Sequence, residues 1–173
     1  MYLLDTNTVS YVLRGEGGVG ARMLSMKRDA VAIPAIVAYE LRYGLARLDP
    51  SRPITRALTE NVGSLLAALR IVAFDDDCAA AAAALRADLE RAGTPLGPTD
   101  VLIAATALAT RSILVTHNTR EFGHVRGLLL EDWYDPKIPR VHTLLQEPAP
   151  PRYSAQRKAA TPRKPRATAA ARR

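Results

Sequence analysis

Cysteine is nearly absent from this chain of 173 residues: Cys78 stands alone, which excludes an internal disulfide framework and a zinc site built on several thiolates. Aromatic residues are scarce at 5%, so Leu, Ala, Val and Ile must fill any core. No run of about 18 apolar residues offers a membrane span. Met1-Tyr2-Leu3-Leu4-Asp5 has neither the basic start nor the apolar length of a signal peptide. These absences lead to the expectation of a soluble, cytoplasmic protein with no membrane partner. Surplus positive charge is missing from the body as well, although the net charge is +7. Eight of the 24 Lys and Arg, and none of the 17 Asp and Glu, lie beyond Pro148: Arg152, Arg157, Lys158, Arg163, Lys164, Arg166, Arg172 and Arg173. Residues 1–147 therefore carry a net −1, and the basic character belongs to a tail.

Apolar material is ample at 48%, and a body of about 150 residues buries over two-thirds of its unfolded surface. Tyr2-Leu3-Leu4 reads as a buried strand ending in the polar turn Asp5-Thr6-Asn7, with Asn7 or Thr8 able to cap a following helix. Gly15, Gly17, Gly18 and Gly20 read as a flexible joint. A strand is expected over 30–33 and a helix over 35–48, then a helix capped by Ser51 with Pro53 in its first turn, running to Leu69. Ile71 to Phe74 reads as a third strand, and an alanine-rich helix follows Asp75 to Asp77 and ends at Gly93. After the loop Gly93 to Pro98, residues 101–109 are apolar on every side, the mark of a helix buried between layers. Short strands over 112–115 and 128–130 complete an alternation that argues for a parallel-sheet α/β sandwich. From Pro148 onward, five prolines and eight alanines leave too little apolar surface to offset chain entropy, so disorder is expected there.

Ligands in open α/β sheets sit beyond the carboxyl ends of the strands. Asp5 follows the first strand; Thr116, His117 and Asn118 follow the fourth; Asp100 opens the buried helix, and Glu40 lies in a helix crowded with apolar neighbours. Clustered carboxylates repel one another by roughly 4 kcal/mol per pair at 4 Å and an effective dielectric of 20, so they protonate or recruit a hard divalent cation. Such an ion favours phosphodiester hydrolysis. Each residue has a plainer reading: an Asx turn for Asp5, a solvated helix position for Glu40, a helix N-terminal charge for Asp100, a helix cap for Asn118. Spacing alone leaves both readings open.

Resemblance separates them. Leu4-Asp5-Thr6-Asn7-Thr8-Val9 resembles the PIN-domain ribonucleases of the VapC toxin family, as do the stretches 37–44, 93–105 and 114–122 and the pieces Gly127-Leu128 and Glu131-Asp132-Trp133, all in the family's order. The resemblance implies a PIN-like three-layer sandwich over residues 1–140, with a short parallel central sheet flanked by helices, and a basic tail over 141–173. It implies a toxin–antitoxin endoribonuclease using Mg²⁺, with Mn²⁺ as a substitute, a cognate antitoxin laid across the acidic groove, and a homodimer. Carried over by position, the family's metal-binding aspartates fall on Asp5 and Asp100 and its helix glutamate on Glu40. Where many PIN domains have a fourth acid this chain has Asn118, and Glu121, one turn along, is the substitute carboxylate; Thr6 and Thr116 are expected to hydrogen-bond the carboxylates or their waters.

Two other readings compete: a phosphohydrolase with Asp5 as covalent nucleophile, disfavoured because Asn7 stands where a second aspartate is wanted, and a non-catalytic nucleic-acid binder using the tail. His117 reads as a surface loop histidine before a phosphate contact, and Cys78 as a small core residue. Tyr39 and Tyr43 suit core packing or an interface, and Arg42 and Arg47 a solvated face or RNA phosphates.

Overall fold

A computed structural model describes residues 1–140; the basic tail, and the disorder expected of it, lie outside that range. Five three- or four-residue strands form one parallel sheet: β1 (Tyr2–Leu4), β2 (Val31–Pro34), β3 (Arg70–Val72), β4 (Ile113–Val115) and β5 (Leu129–Glu131). Their order across the sheet is β3-β2-β1-β4-β5. Winding starts at the centre and runs outward on one side, then returns across it to run outward on the other. The switch point therefore lies between β1 and β4, where Leu4 pairs with Val115.

Helices α1 (Thr6–Arg14), α2 (Val19–Ser25), α3 (Ala35–Ala46), α4 (Pro53–Ala68), α5 (Asp76–Arg91), α6 (Pro98–Ala109) and the single turn α7 (Thr119–Phe122) flank this sheet, the layered α/β architecture expected. The core is built as composition requires, from aliphatic residues: Leu3, Leu4, Ala32, Ile33, Leu114 and Val115 are fully buried in the strands. In α6, Ile103, Ala104, Ala105, Thr106 and Ala107 are buried around the whole helix, so small side chains let it lie close against its neighbours. In α5 only Cys78, Ala82, Leu85 and Leu89 are buried, one stripe at helical spacing packed toward α6. Among the described residues no helix is long and apolar enough to cross a membrane.

Three local expectations are corrected. The cap of α1 is Asp5 rather than Asn7 or Thr8, because the Asp5 carboxylate reaches the Thr8 N–H and starts the helix two residues earlier. The glycine-rich stretch is not one loose joint: Gly15 ends α1 in the left-handed region, Gly17 and Gly18 turn the chain, and Gly20 already lies inside α2. Ser51 does not cap α4; its hydroxyl and N–H bond Asp49, and Arg52 occupies the cap position before Pro53.

The glycine turn is also a seat. Trp133 is buried against Tyr2, with its Nε1 donating to Glu131 at 2.8 Å. The chain then doubles back over the turn, where Asp135 N–H bonds the Gly17 carbonyl at 3.0 Å and the Tyr134 ring covers Gly17. A Cβ on Gly17 would lie 2.2 Å from that ring, and Gly17 also has φ +60°. Gly93 has the same left-handed backbone, φ +71°, but nothing near its Cβ position. We expect Gly93→Ala to cost about 1 kcal/mol, the backbone penalty alone, and Gly17→Ala at least twice that, because Tyr134 must also move. Urea unfolding of the two variants checks this; equal losses would show that Tyr134 does not restrict Gly17.

Candidate active site

The site grows from the end of the central strand pair. Asp5 directly follows β1, and its N–H bonds the carbonyl of Val115, the last residue of β4, at 3.1 Å. The same carbonyl accepts the Thr8 hydroxyl at 2.9 Å, so the first turn of α1 is tied to the neighbouring strand. The Asp5 side chain is only 3% exposed. Its Oδ1 accepts from Thr8 N–H and its Oδ2 from the Thr116 hydroxyl, both at 2.6 Å. Burial still pushes the Asp5 carboxyl above the ordinary carboxylate range, with the charge of Glu40 adding to it, and the hydrogen bonds from Thr116 and Thr8 oppose the rise without cancelling it.

The other acids arrive from three separate segments. Glu40 sits midway along α3 and accepts a short hydrogen bond from the Thr6 hydroxyl. Asp100 lies in the first turn of α6; a Cβ on Gly97 would come within 2.9 Å of its Oδ2, so the glycine leaves that carboxylate its place. Glu121, in α7, accepts from the Asn118 side-chain amide at 2.9 Å, and the Asn118 N–H donates to the Thr116 hydroxyl at 3.0 Å. Thr116 thus joins Asp5 to the Asn118–Glu121 pair. Burial first, then the charges of Glu40, Asp5 and Glu121, raise the Asp100 carboxyl to about 6. Charges from the end of β1, α3 and α7 thus all reach the Asp100 carboxyl in α6.

Thr6, Thr116 and Asn118 stand in contact with these acids, where the sequence placed them. Asn118 keeps the cap position of α7, but its side chain bonds Glu121 rather than the helix backbone. Sequence reading missed Thr8 and Gly97. Nothing local marks either one, since the first works through a carbonyl 107 positions away and the second by leaving space. It also missed Asp132, whose Oδ2 lies 2.9 Å from Nδ1 of His117 while Oδ1 takes the Tyr134 N–H. His117 packs at ring distances of 4.7 Å to Tyr134 and 5.9 Å to Tyr11, so it is more than a loose loop residue. Tyr39 and Tyr43 are not core: they are 56% and 45% exposed, stacked on the outside of α3, with Arg47 over the Tyr43 ring.

Among the described residues, no three of His, Cys, Asp and Glu stand close enough to enclose a metal ion with protein ligands alone. A zinc-type cage is therefore the wrong comparison. Mg²⁺ keeps several waters and takes one or two carboxylates, and this donor set fits that demand: all oxygen, mutually repelling, with Asp100 held by no protein hydrogen bond among the described residues. A different recess, between α5 and α6, is lined by Arg86 and Glu90 as well as Leu89, Leu96, Val101 and Leu102 and contains none of the four acids.

A parallel sheet wound 3-2-1-4-5 with acids gathered at its switch point is the arrangement of a PIN domain, and the chain belongs to the PIN domain family, which matches residues 2–128. Within it the chain is similar to VapC ribonucleases. It is 32% identical over 133 residues to the tRNA(fMet)-specific endonuclease VapC of Salmonella typhimurium, covering 76% of this chain and 97% of that protein. It is 33% identical over 138 residues to ribonuclease VapC2 of Rickettsia felis, covering 77% and 98%. Among solved structures, VapBC2 of Rickettsia felis bound to a promoter DNA fragment superposes with a TM-score of 0.70 at 30% identity, covering 76% of this chain and 98% of that one. FitAcB of Neisseria gonorrhoeae superposes with a TM-score of 0.68 at 31% identity, covering 79% and 98%.

The raised carboxyls fix the sign of a pH effect. A carboxyl whose folded pKa exceeds its unfolded value of 3.8 binds its proton more tightly when folded, so stability is gained as pH falls through about 6 and is complete below about 4. Without divalent cations, the unfolding midpoint should rise as pH is lowered from neutral to about 5. Asp100→Asn should stabilise the protein at neutral pH by about 1–2 kcal/mol, allowing for partial exposure of the site, and flatten the pH profile. Thermal melts over that range check this; a wild-type midpoint that falls on acidification would show that the acids are not mutually strained.

Proposed function

We propose that this protein is a divalent-cation-dependent endoribonuclease, the toxin of a toxin–antitoxin pair, with Mg²⁺ as the working ion and Mn²⁺ able to replace it. The observation that carries the reading is that Asp100 is raised to about 6 by burial and then by the charges of Glu40, Asp5 and Glu121, with Asp5 at the β1/β4 switch point. Family membership and the ribonuclease names of relatives at 32–33% identity support it.

Asp5 and Asp100 would hold the cation. When bound, that cation supplies Lewis acidity: it polarises a phosphoryl oxygen and lowers the pKa of attacking water. The rest falls to the chain's own groups. Thr116 and Thr8 hold both oxygens of Asp5, fixing the carboxylate's plane and favouring its ionised form. Thr6 fixes Glu40, and Asn118 fixes Glu121, so the two glutamates flank the aspartates in set positions from which they accept a proton or orient water. Covalent attack by Asp5 is disfavoured, because both of its oxygens are engaged and the group is buried behind the strand ends. RNA is the substrate and the inhibitor is a cognate antitoxin. Self-association into a homodimer follows the family pattern, and the exposed Tyr39–Tyr43 stack suits such protein contact.

Purified protein should cleave RNA, stop on addition of EDTA and resume with excess Mg²⁺. Asp5→Asn should reduce the rate at least about a hundredfold, the scale of losing one group from a preorganised electrostatic site, with the circular dichroism spectrum retained. Cleavage indifferent to EDTA, or a wild-type rate in the folded variant, would overturn the reading.

A further inference from the structure

Beside the catalytic acids stands an ionisable pair that the hydrolysis does not use. We propose that His117, oriented by Asp132, is a substrate-binding residue whose Nε2 donates to a phosphate oxygen of the RNA strand lying against the acids. The inference rests on the ribonuclease reading and adds to it a contact that seats the strand.

The loop leaving β4 fixes where this histidine stands. The Thr116 hydroxyl donates to Asp5 at 2.6 Å, and the Asn118 side chain donates to Glu121 at 2.9 Å. His117 is the residue between them, its Cα about 3.8 Å from that of each neighbour. Among the described residues its ring is bonded to none of Asp5, Glu40, Asp100 and Glu121. It turns instead to the segment after β5, where Asp132 Oδ2 lies 2.9 Å from Nδ1 and Asp132 Oδ1 accepts the Tyr134 N–H at 2.9 Å. Two rings confine it: Tyr11, at right angles and 5.9 Å away, and Tyr134 at 4.7 Å, themselves 4.5 Å apart. Tyr11 belongs to the helix that Asp5 caps; burial raises its hydroxyl, and the Asp5 charge is among those that add to the rise. The imidazole is thus held next to the catalytic end, with 45% of its side chain open to solvent.

Its partner decides what the open nitrogen does. An ionised carboxylate only accepts, so Nδ1 carries a hydrogen. Nε2 then accepts when the ring is neutral and donates when the ring is charged, and the adjacent carboxylate favours the charged form. A phosphate oxygen also only accepts, so it takes the charged ring in a charge-assisted bond. The other charges around the ring are engaged elsewhere. On the α1 side Arg14 lies over the Tyr11 ring and pairs with Glu16 at 3.0 Å, and on its own loop Glu121 holds Asn118. The ring therefore offers positive charge to a polyanion without pairing off the acids beside it.

The test compares the full chain with its His117→Gln, His117→Phe, His117→Arg and Asp132→Asn forms. Binding of a short fluorescent single-stranded RNA is measured over a range of salt, near both ends of the imidazole range at about pH 6 and about pH 8, in an Asp5→Asn background. One phosphate contact on a single strand contributes a slope of about −0.7 in log K against log salt. At the lower pH the unaltered His117 should be steeper than Gln and Phe by that amount, with Asp132→Asn in between. At the higher pH the gap should close, while Arg stays steep at both. Protonation of Asp100 is common to all forms and drops out of each comparison. With Asp5 intact and at the lower pH, His117→Gln should raise KM about tenfold and leave kcat within about twofold, the scale of one hydrogen bond to a charged group. Equal slopes for His and Gln at the lower pH would overturn the proposal. So would a Phe form that binds as tightly as His at both, the mark of base stacking, or a loss confined to kcat, the mark of proton transfer. Should the Gln form fail to fold, the Phe and Arg forms carry the same comparison. A pH-dependent slope in a chain that cleaves nothing would retain the contact and remove the ribonuclease reading, whereas EDTA-sensitive cleavage indifferent to His117 would do the reverse.

Discussion

A carboxylate almost wholly out of water, at the end of the central strand, is the constraint to which the rest of the molecule answers. Burying a charge of that kind costs several kcal/mol unless hydrogen bonds replace the lost water. Here the replacements come from Thr8, in the same helical turn, and Thr116, at the end of the neighbouring strand. The second depends on register: Leu4 opposite Val115 places Asp5 beside Thr116, and the Val115 carbonyl takes the Asp5 N–H and the Thr8 hydroxyl together. A one-residue slip would turn Leu4 out of the core and break these three contacts between the strands, leaving only the local Thr8 N–H cap. Folding at the centre of the sheet and assembly of the site are thus a single event, and the fully buried Leu3, Leu4, Leu114 and Val115 hold the acid in place from below.

Much of this was readable from local pattern. The strands at Tyr2–Leu4 and Ile113–Val115, the alanine-rich α5 and the all-apolar α6 announced themselves, because period and capping residues act within a few positions. Helix α2 did not, since Gly18 and Gly20 mask a helix that Val19 anchors by burial in the core. Ser51 misled because its bond to Asp49 competes with capping, a choice the sequence leaves undecided. Of the site, the acids were nameable one at a time by their place after strands or in helices. Their convergence was not, since it follows from the order 3-2-1-4-5, which spacing does not encode and only family resemblance supplied. Thr8 and Gly97 were illegible for the same reason: each acts on a neighbour supplied by the fold.

Asn118 brings an uncharged amide to this group of acids. An aspartate there would face Thr116 and add a further anion to a group already repelling itself. The amide instead donates to Glu121, fixing a carboxylate carried one helical turn farther along. Glu121 is in turn among the acids whose charge raises Asp100. Such a site is less enclosed than one walled by short aspartates, consistent with donors that cannot surround an ion by themselves and that leave part of its shell to water.

Two repulsions then have to be answered, and they differ in range. Acid against acid acts over a few ångströms within a poorly solvated end of the sheet, where a divalent ion would neutralise it and be held by it. Acid against phosphate acts over the Debye length, about 8–10 Å at ordinary ionic strength, and a divalent ion held by one or two of these acids would leave that face negative. Answering the second repulsion with cations built beside the acids would pair them off and relax the strain that favours a bound divalent ion. The near-balanced charge of residues 1–147, a net −1, is thus compatible with acids concentrated at one end of the sheet, because few cations stand beside them to pair them off.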